Sequence, residues 1–122
     1  MRVLVADDDA ANRYIMSRFL ARLGIKAALA ADGNAALAAL EGDAGIELAF
    51  LDLSMPGLDG LAVARALRTL EAAEKRSRVV LIALTGADDG TGAMRAGFDD
   101  FLQKPVGYTI IEGSIARWRR NP

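Results

Sequence analysis

One stretch near the middle of the chain limits the fold more than any other: Ile46-Glu47-Leu48-Ala49-Phe50-Leu51-Asp52-Leu53-Ser54-Met55-Pro56-Gly57-Leu58-Asp59-Gly60. Its apolar run is too short for a helix, ends on Asp52 and breaks at Pro56-Gly57. That is the pattern of a buried strand that hands one carboxylate to a loop.

The flanking chain repeats the theme. Residues 2–6 form a short apolar run leading into Asp7-Asp8-Asp9, after which Ile15, Phe19 and Leu23 fall at helical spacing. Asp9 is placed to cap that helix and Gly24 to stop it. Residues 25–30 make a weaker, alanine-containing strand, and Asp32-Gly33 opens an alanine-rich helix carrying Leu37 and Leu40, ended by 41–45. Asp59-Gly60 starts a helix striped by Val63, Leu67 and Leu70. The charged run 71–78 beyond it reads as solvated, with Glu71 and Lys75 paired along the helix.

Residues 79–84 are the most strand-like by composition, with Thr85-Gly86 at their carboxyl end. The spacing predicts a helix over 88–97, shortened or partly unwound because Gly90 and Gly92 each cost about 1 kcal/mol against alanine. Residues 100–103 form a brief fifth strand and Lys104-Pro105 a turn, and Ile111, Ile115 and Trp118 stripe a last helix interrupted by Gly113. Five strand–helix units in strict alternation predict one α/β domain over 1–122, a parallel sheet with helices on both faces and no separate output domain. A completely apolar strand such as 79–84 agrees with burial on both sides.

Composition removes several chemistries. At 122 residues one domain can bury roughly two thirds of its unfolded surface without covalent staples. There is no cysteine, which excludes disulfides, thiolate metal sites and cysteine nucleophiles. There is no histidine either, so the usual general base and zinc ligand are missing and any phosphohistidine donor belongs to another chain or domain. A formal charge of -1 gives no drive toward nucleic acid or membrane surfaces. The start of the chain is too short for a signal peptide and no apolar run could span a bilayer, so a soluble, cytoplasmic domain is expected.

Ligands of an open parallel sheet sit beyond the carboxyl ends of its strands, near the point where strand order reverses. The first strand brings Asp7 and Asp8 there, the third Asp52, the fourth Thr85 and the fifth Lys104. Three carboxylates brought within several ångströms repel by about 1–4 kcal/mol per pair at intermediate dielectric. A cation is the simplest compensation, and with oxygen ligands alone Mg²⁺ suits best, because it takes one or two carboxylates, keeps waters and bridges to phosphate. Ser54 could add a main-chain carbonyl to that ion, and Gly86, having no side chain, would let backbone closely approach a phosphoryl group on Asp52. Lys104 then serves as a point charge for a phosphoryl oxygen and Thr85 as a hydroxyl donor beside it. The implied chemistry is attack of an Asp52 carboxylate oxygen on phosphorus, giving an acyl phosphate.

Taken singly, these residues have plainer readings: Asp7-Asp8-Asp9 as a helix start, Asp52 as a loop cap, Lys104 as a surface lysine and Thr85 as a turn hydroxyl. Their coincidence at four strand ends in the right order decides for a site. Trp118 reads as packing for the last helix, and Arg117-Trp118-Arg119-Arg120 as a solvated end.

Over almost its whole length the chain resembles the receiver domains of two-component response regulators. The resemblance rests on Val5-Ala6-Asp7-Asp8, on 51–60, on Ala83-Leu84-Thr85-Gly86 and on Ala96-Gly97-Phe98-Asp99-Asp100-Phe101-Leu102-Gln103-Lys104-Pro105. It implies a flavodoxin-like, doubly wound sheet in the order 2-1-3-4-5. It also implies that Asp52 accepts a phosphoryl group from a phosphohistidine on a histidine kinase or histidine phosphotransfer domain. Asp8 and the Ser54 carbonyl would lie directly on Mg²⁺ with Asp7 and Asp52, Thr85 and Lys104 would sense the phosphate, and Phe101 would be the switch aromatic. The Lys104-Pro105 bond is expected to be cis. Asn12-Arg13 and the stretch 65–70, leading into the charged run, resemble receivers of hybrid histidine kinases. Asn12, Ile15 and Met16 would form a partner-docking face on the first helix.

The function expected is a phosphorylation-controlled switch that changes affinity for a downstream effector or for itself, and not a conventional enzyme. Two other classes compete with it. One is a receiver-like interaction module that never carries phosphate. The other is an aspartyl-phosphate hydrolase, which in the haloacid dehalogenase pattern carries a second aspartate where this chain has Ser54.

Overall fold

The computed structural model describes residues 1–86 and 91–119. Its strands are β1 (Val3–Ala6), β2 (Ala28–Ala30), β3 (Leu48–Asp52), β4 (Val80–Thr85) and β5 (Asp100–Gln103). Each is followed by a helix: α1 (Ala10–Arg22), α2 (Gly33–Gly42), α3 (Gly60–Glu74), α4 (Thr91–Ala96) and α5 (Tyr108–Trp118). All neighbouring strands pair in parallel, in the order β2-β1-β3-β4-β5. None of the helices described is long and apolar enough to cross a membrane.

Side chains leave a strand alternately to its two faces, so each face acquires its own core. On one face Leu4, Ala49, Leu51, Leu81 and Ala83 meet Leu40 of α2 and Val63 and Leu67 of α3. On the other, Val5, Phe50, Ile82 and Leu84 meet Met16 and Leu20 of α1 and Ile111 and Ile115 of α5. The three central strands are buried at every position. Each fully buried leucine, such as Leu4, Leu51 or Leu81, contributes about 1.5–3 kcal/mol.

Aspartates start three of the helices. Asp9, Asp32 and Asp59 accept hydrogen bonds from Ala11, Ala35 and Ala62 N–H, each at 2.8 Å, satisfying donors that a helix start leaves open. α1 ends with Gly24 at φ +78, where Gly24 N–H donates to Ala21 and Ile25 N–H to Leu20 in a Schellman arrangement. Two other glycines admit close backbone approach. A Cβ on Gly33 would lie 1.6 Å from the Leu58 carbonyl oxygen, and one on Gly60 would lie 2.6 Å from that of Asp52. The loop between β3 and α3 is thus seated directly on the first residues of α2 and α3.

Several boundaries and one surface differ from expectation. β2 covers only the last three residues of 25–30, because Ile25 is drawn into the core just after the helix stop. α4 is short, as expected, spanning six residues; the 88–90 part of the predicted helix lies outside the described residues. α5 runs unbroken through Gly113, which faces open space and meets nothing within 4 Å.

The largest correction concerns the charged run 71–78. α3 continues to Glu74, and Glu71 is buried at 8 % exposure instead of pairing with Lys75. Its carboxylate accepts Arg68 Nη1 at 2.8 Å and Val79 N–H at 2.7 Å. Lys75 caps α3 in the left-handed region, at φ 54. Arg76 reaches back to α2 and donates to the carbonyls of Leu40, at 2.8 Å, and Glu41. Arg78 pairs with Asp99 at 2.8 Å. Charges that look solvated along one helix are used as ties between elements.

Candidate functional site

Parallel pairing brings the carboxyl ends of β1, β3, β4 and β5 to one edge of the sheet. Asp7 follows β1, Asp52 is the last residue of β3, Thr85 the last of β4, and Lys104 follows β5. Asp7, Asp52 and Thr85 are buried at 1 %, 4 % and 4 % exposure, whereas Asp8 is exposed. Carboxylate oxygens of Asp7, Asp8 and Asp52 all lie within 4.8 Å of one another. The sequence-predicted groups are therefore brought together.

Each carboxylate is oriented by backbone. Asp52 Oδ1 accepts the Ser54 N–H at 2.9 Å, and Asp7 Oδ1 accepts the Asp9 N–H at 2.9 Å. Lys104 Nζ donates to Asp52 Oδ2 at 2.7 Å. It also lies 3.2 Å from Asp7 Oδ2, close enough for Coulomb attraction, yet among the described residues that buried oxygen has no hydrogen-bond partner. Lys104 is placed by β4, since its N–H donates to the Thr85 carbonyl at 2.8 Å. The Lys104–Pro105 peptide is cis.

The ion pair acts differently on its two members. Burial pushes Asp52 above its ordinary value of 3.8, the Lys104 and Ser54 hydrogen bonds pull it back, and Asp7 adds to the rise, so the net direction is up. Burial pulls the Lys104 ammonium down, but its hydrogen bond to Asp52 and the negative charge of Asp52 and Asp7 outweigh it, and Lys104 is raised above 10.5. One lysine is thus well held by its carboxylates but does not neutralise them. Among the described residues, three acids against one ammonium leave an excess of negative charge, and Asp7 Oδ2 is buried without a donor. A hard divalent cation fits both observations, and the donors are all oxygen, as Mg²⁺ prefers.

Other predicted residues fall around this centre. Ser54 is exposed and contributes its N–H to Asp52. Phe101 stands opposite Ala83 in the sheet and is 37 % exposed. Asn12, Ile15 and Met16 line a cavity of about 300 Å³ together with Asp7, Lys104 and Val106. Within that set Ile15 is 46 % exposed, while Met16 is a core residue at 4 %. Arg13 has a role that sequence reasoning missed. Its Nη1 donates to the Asp7 carbonyl at 2.6 Å and fixes the turn that carries the acidic pair. The only signal was its position one turn into the helix after the acidic run.

Trp118 packs against the core on the α5 side and donates from Nε1 to Asp100 at 3.3 Å, in keeping with a packing role.

Comparison with known proteins agrees with this arrangement. Residues 3–115 match the response regulator receiver domain family. The chain is 31% identical over 128 residues to the sensor protein GacS of Pseudomonas syringae pv. syringae, covering 99% of this chain and 14% of that protein. It is 34% identical over 125 residues to the hybrid signal transduction histidine kinase L of Dictyostelium discoideum, covering 98% of this chain and 7% of that protein. The chain thus spans a small fraction of these relatives. Among solved structures it resembles a chain in the co-crystal of the Saccharomyces cerevisiae histidine phosphotransfer signaling protein Ypd1 and the receiver domain of its downstream response regulator Ssk1. The TM-score is 0.91 at 28% identity, over 97% of this chain and 88% of that one. Sheet order, the acidic cluster with its lysine, and the family match over 3–115 together make this chain a member of the response regulator receiver domain family.

Proposed function

We propose that this chain is the phosphoacceptor switch of a two-component phosphorelay and that Asp52 carries the phosphoryl group. The observation that supports this best is the Asp52 carboxylate itself. One oxygen is fixed by the Ser54 N–H, the other is paired with Lys104, and Asp7 and Asp8 stand within 4.8 Å. An Asp52 oxygen attacks the phosphorus of a phosphohistidine, the P–N bond breaks as the new P–O bond forms, and the released imidazole takes up a proton. Lys104, 2.7 Å from Asp52 Oδ2, follows the transferred group and neutralises charge on a phosphoryl oxygen. Thr85, buried beside it at the end of β4, donates its hydroxyl to another.

Asp7, Asp8, Asp52 and the Ser54 carbonyl would hold Mg²⁺, which supplies charge neutralisation for phosphoryl transfer. The chain holds no histidine, so the donor is a histidine kinase or histidine phosphotransfer domain. Asn12, Ile15 and Val106, on the rim of the cavity next to Asp7, are the face such a partner would cover. The structural likeness to the Ypd1–Ssk1 receiver co-crystal supports a phosphotransfer partner.

Incubation with Mg²⁺ and acetyl phosphate, followed by intact-mass measurement, tests the proposal. One acid-stable, base-labile phosphate is expected on the wild-type chain and none on Asp52→Asn. Equal labelling of both would overturn the assignment.

A further inference from the structure

Arg13 stands about one turn beyond the acidic run, and the transfer chemistry proposed above makes no use of it. Its guanidinium reaches back to that run, but among the described residues it pairs with no carboxylate. Nη1 donates instead to the Asp7 main-chain carbonyl at 2.6 Å. An arginine paired with Asp7 or Asp8 would take up a ligand oxygen, whereas one that holds the carbonyl leaves all three carboxylates open to a cation.

The two members of the acidic pair are held very unequally. Asp7 is 1 % exposed and tied through backbone and side chain: its N–H donates to the Ala30 carbonyl at 3.1 Å, its Oδ1 accepts the Asp9 N–H at 2.9 Å, and its carbonyl accepts Arg13. Asp8 is exposed, and among the described residues no hydrogen bond holds its carboxylate. Its place within 4.8 Å of Asp7 and Asp52 therefore depends on the peptide that joins it to Asp7. That peptide is planar, so the direction of the Asp7 carbonyl fixes the Asp8 N–H and Cα with it. Arg13 is itself anchored, because its own N–H donates to the Asp9 carbonyl at 3.0 Å in a first helical turn that Asp9 caps through Ala11 and Asn12. Asp7 Oδ2, buried and without a donor among the described residues, marks the side on which a cation would complete the set.

Stiffness of a carboxylate ligand matters more to a small ion than to a large one. Mg²⁺ demands near-octahedral oxygens at about 2.0–2.1 Å, whereas Ca²⁺ accepts roughly six to eight oxygens at about 2.3–2.6 Å in flexible arrangements. A loosened Asp8 thus costs Mg²⁺ its geometry and costs Ca²⁺ little. We propose that Arg13 is a positioning residue that acts through the Asp7–Asp8 peptide, holding the Asp8 carboxylate stiff enough to favour Mg²⁺ over Ca²⁺. This rests on the Mg²⁺ reading above and names the residue that sets its ion preference. The charge of Arg13 works in the opposite direction, since a cation beside the turn repels the metal, and its removal by charge alone would tighten both ions.

Titrations of the whole chain with MgCl₂ and with CaCl₂, at constant ionic strength and followed by amide chemical shifts, test this. Arg13→Ala should raise the Mg²⁺ Kd by about tenfold, as loss of a residue that supports a metal ligand does, and the Ca²⁺ Kd by less than about threefold. Arg13→Lys, which keeps the charge and a donor but not the guanidinium fork, should fall between wild type and Arg13→Ala. In an Asp8→Asn background, with no carboxylate left to position, Arg13→Ala should change the Mg²⁺ Kd by less than about twofold. An unchanged ratio of the two Kd values, tighter Mg²⁺ binding by Arg13→Ala, or an undiminished effect in the Asp8→Asn background would each overturn the proposal while leaving the metal site. A wild type that binds neither ion removes the metal reading and the proposal together. If Arg13→Ala does not fold, Arg13→Gln, whose side chain ends well short of the Asp7 carbonyl, takes its place in every comparison.

Discussion

The contact between Gly33 and the Leu58 carbonyl makes a sharp prediction, because the same substitution elsewhere has the opposite sign. At Gly113, mid-helix in α5 and facing open space, alanine adds only helix propensity and should stabilise the chain by about 0.5–1 kcal/mol. At Gly33, the first residue of α2, a Cβ would lie 1.6 Å from a backbone oxygen. No rotamer relieves that contact, so the loop between β3 and α3 must retreat by about 1.8 Å or more to restore van der Waals distance. Overpacking of this kind costs about 1–3 kcal/mol, and a backbone obstacle belongs at the upper end. Net of the propensity gain, Gly33→Ala should lose about 2 kcal/mol, and the two variants should differ by about 3 kcal/mol in urea unfolding. The retreating loop also carries Ser54, so Gly33→Ala should weaken Mg²⁺ binding by calorimetry while Gly113→Ala leaves it unchanged. Equal shifts of the two midpoints would refute the steric reasoning.

Two further outcomes follow from the buried charges. Glu71→Ala should destabilise the chain by about 2–3 kcal/mol, because it leaves the buried Val79 N–H without its acceptor and removes one of the two carboxylates on Arg68, which keeps Asp99, whereas Lys75→Ala should change stability by less than about 1 kcal/mol; chemical denaturation of the pair measures both. In chelator, Asp52→Asn should be more stable than wild type at neutral pH. The native Asp52 pKa lies above 3.8, so the native chain holds that proton more tightly than the unfolded chain, and wild-type stability falls as pH rises from about 3.8 through the native value. Below that window the difference should vanish, and a thermal-melt series across pH that kept it constant would contradict the raised value.

The sheet and the gathering of three aspartates, Thr85 and Lys104 at its edge were legible because both follow from short-range patterns. Asp7, Asp52, Thr85 and Lys104 each end or follow an apolar run, and parallel pairing gathers run ends whatever their separation in sequence. Asp32 and Asp59 announce helix starts for the same local reason. Arg68, Glu71 and Asp99 were not legible. Arg68 and Asp99 are 31 residues apart, and a charged residue in a charged run looks solvated until its partner is known to lie across the sheet. Gly113 misled in the other direction, since a glycine weakens a helix without ending it when packing by Ile111 and Ile115 holds the turn on either side. Arg13 was visible as a residue, but its use on the Asp7 carbonyl depends on the angle at which α1 leaves β1.

The tie between Arg76 and the end of α2 bears on the order in which the chain can assemble. The carbonyls that it closes, Leu40 and Glu41, precede it by 36 and 35 residues. Open carbonyls at a helix end fray in water, so the last turn of α2 completes only after β3, α3 and the turn beyond have been made and docked. A ribosome releasing this chain therefore delivers the first two strand–helix units before they can be finished. A fragment cut between α2 and β3 would keep Asp32 to start its helix and Asp43 to cap it, and lack the arginine that closes its last two carbonyls.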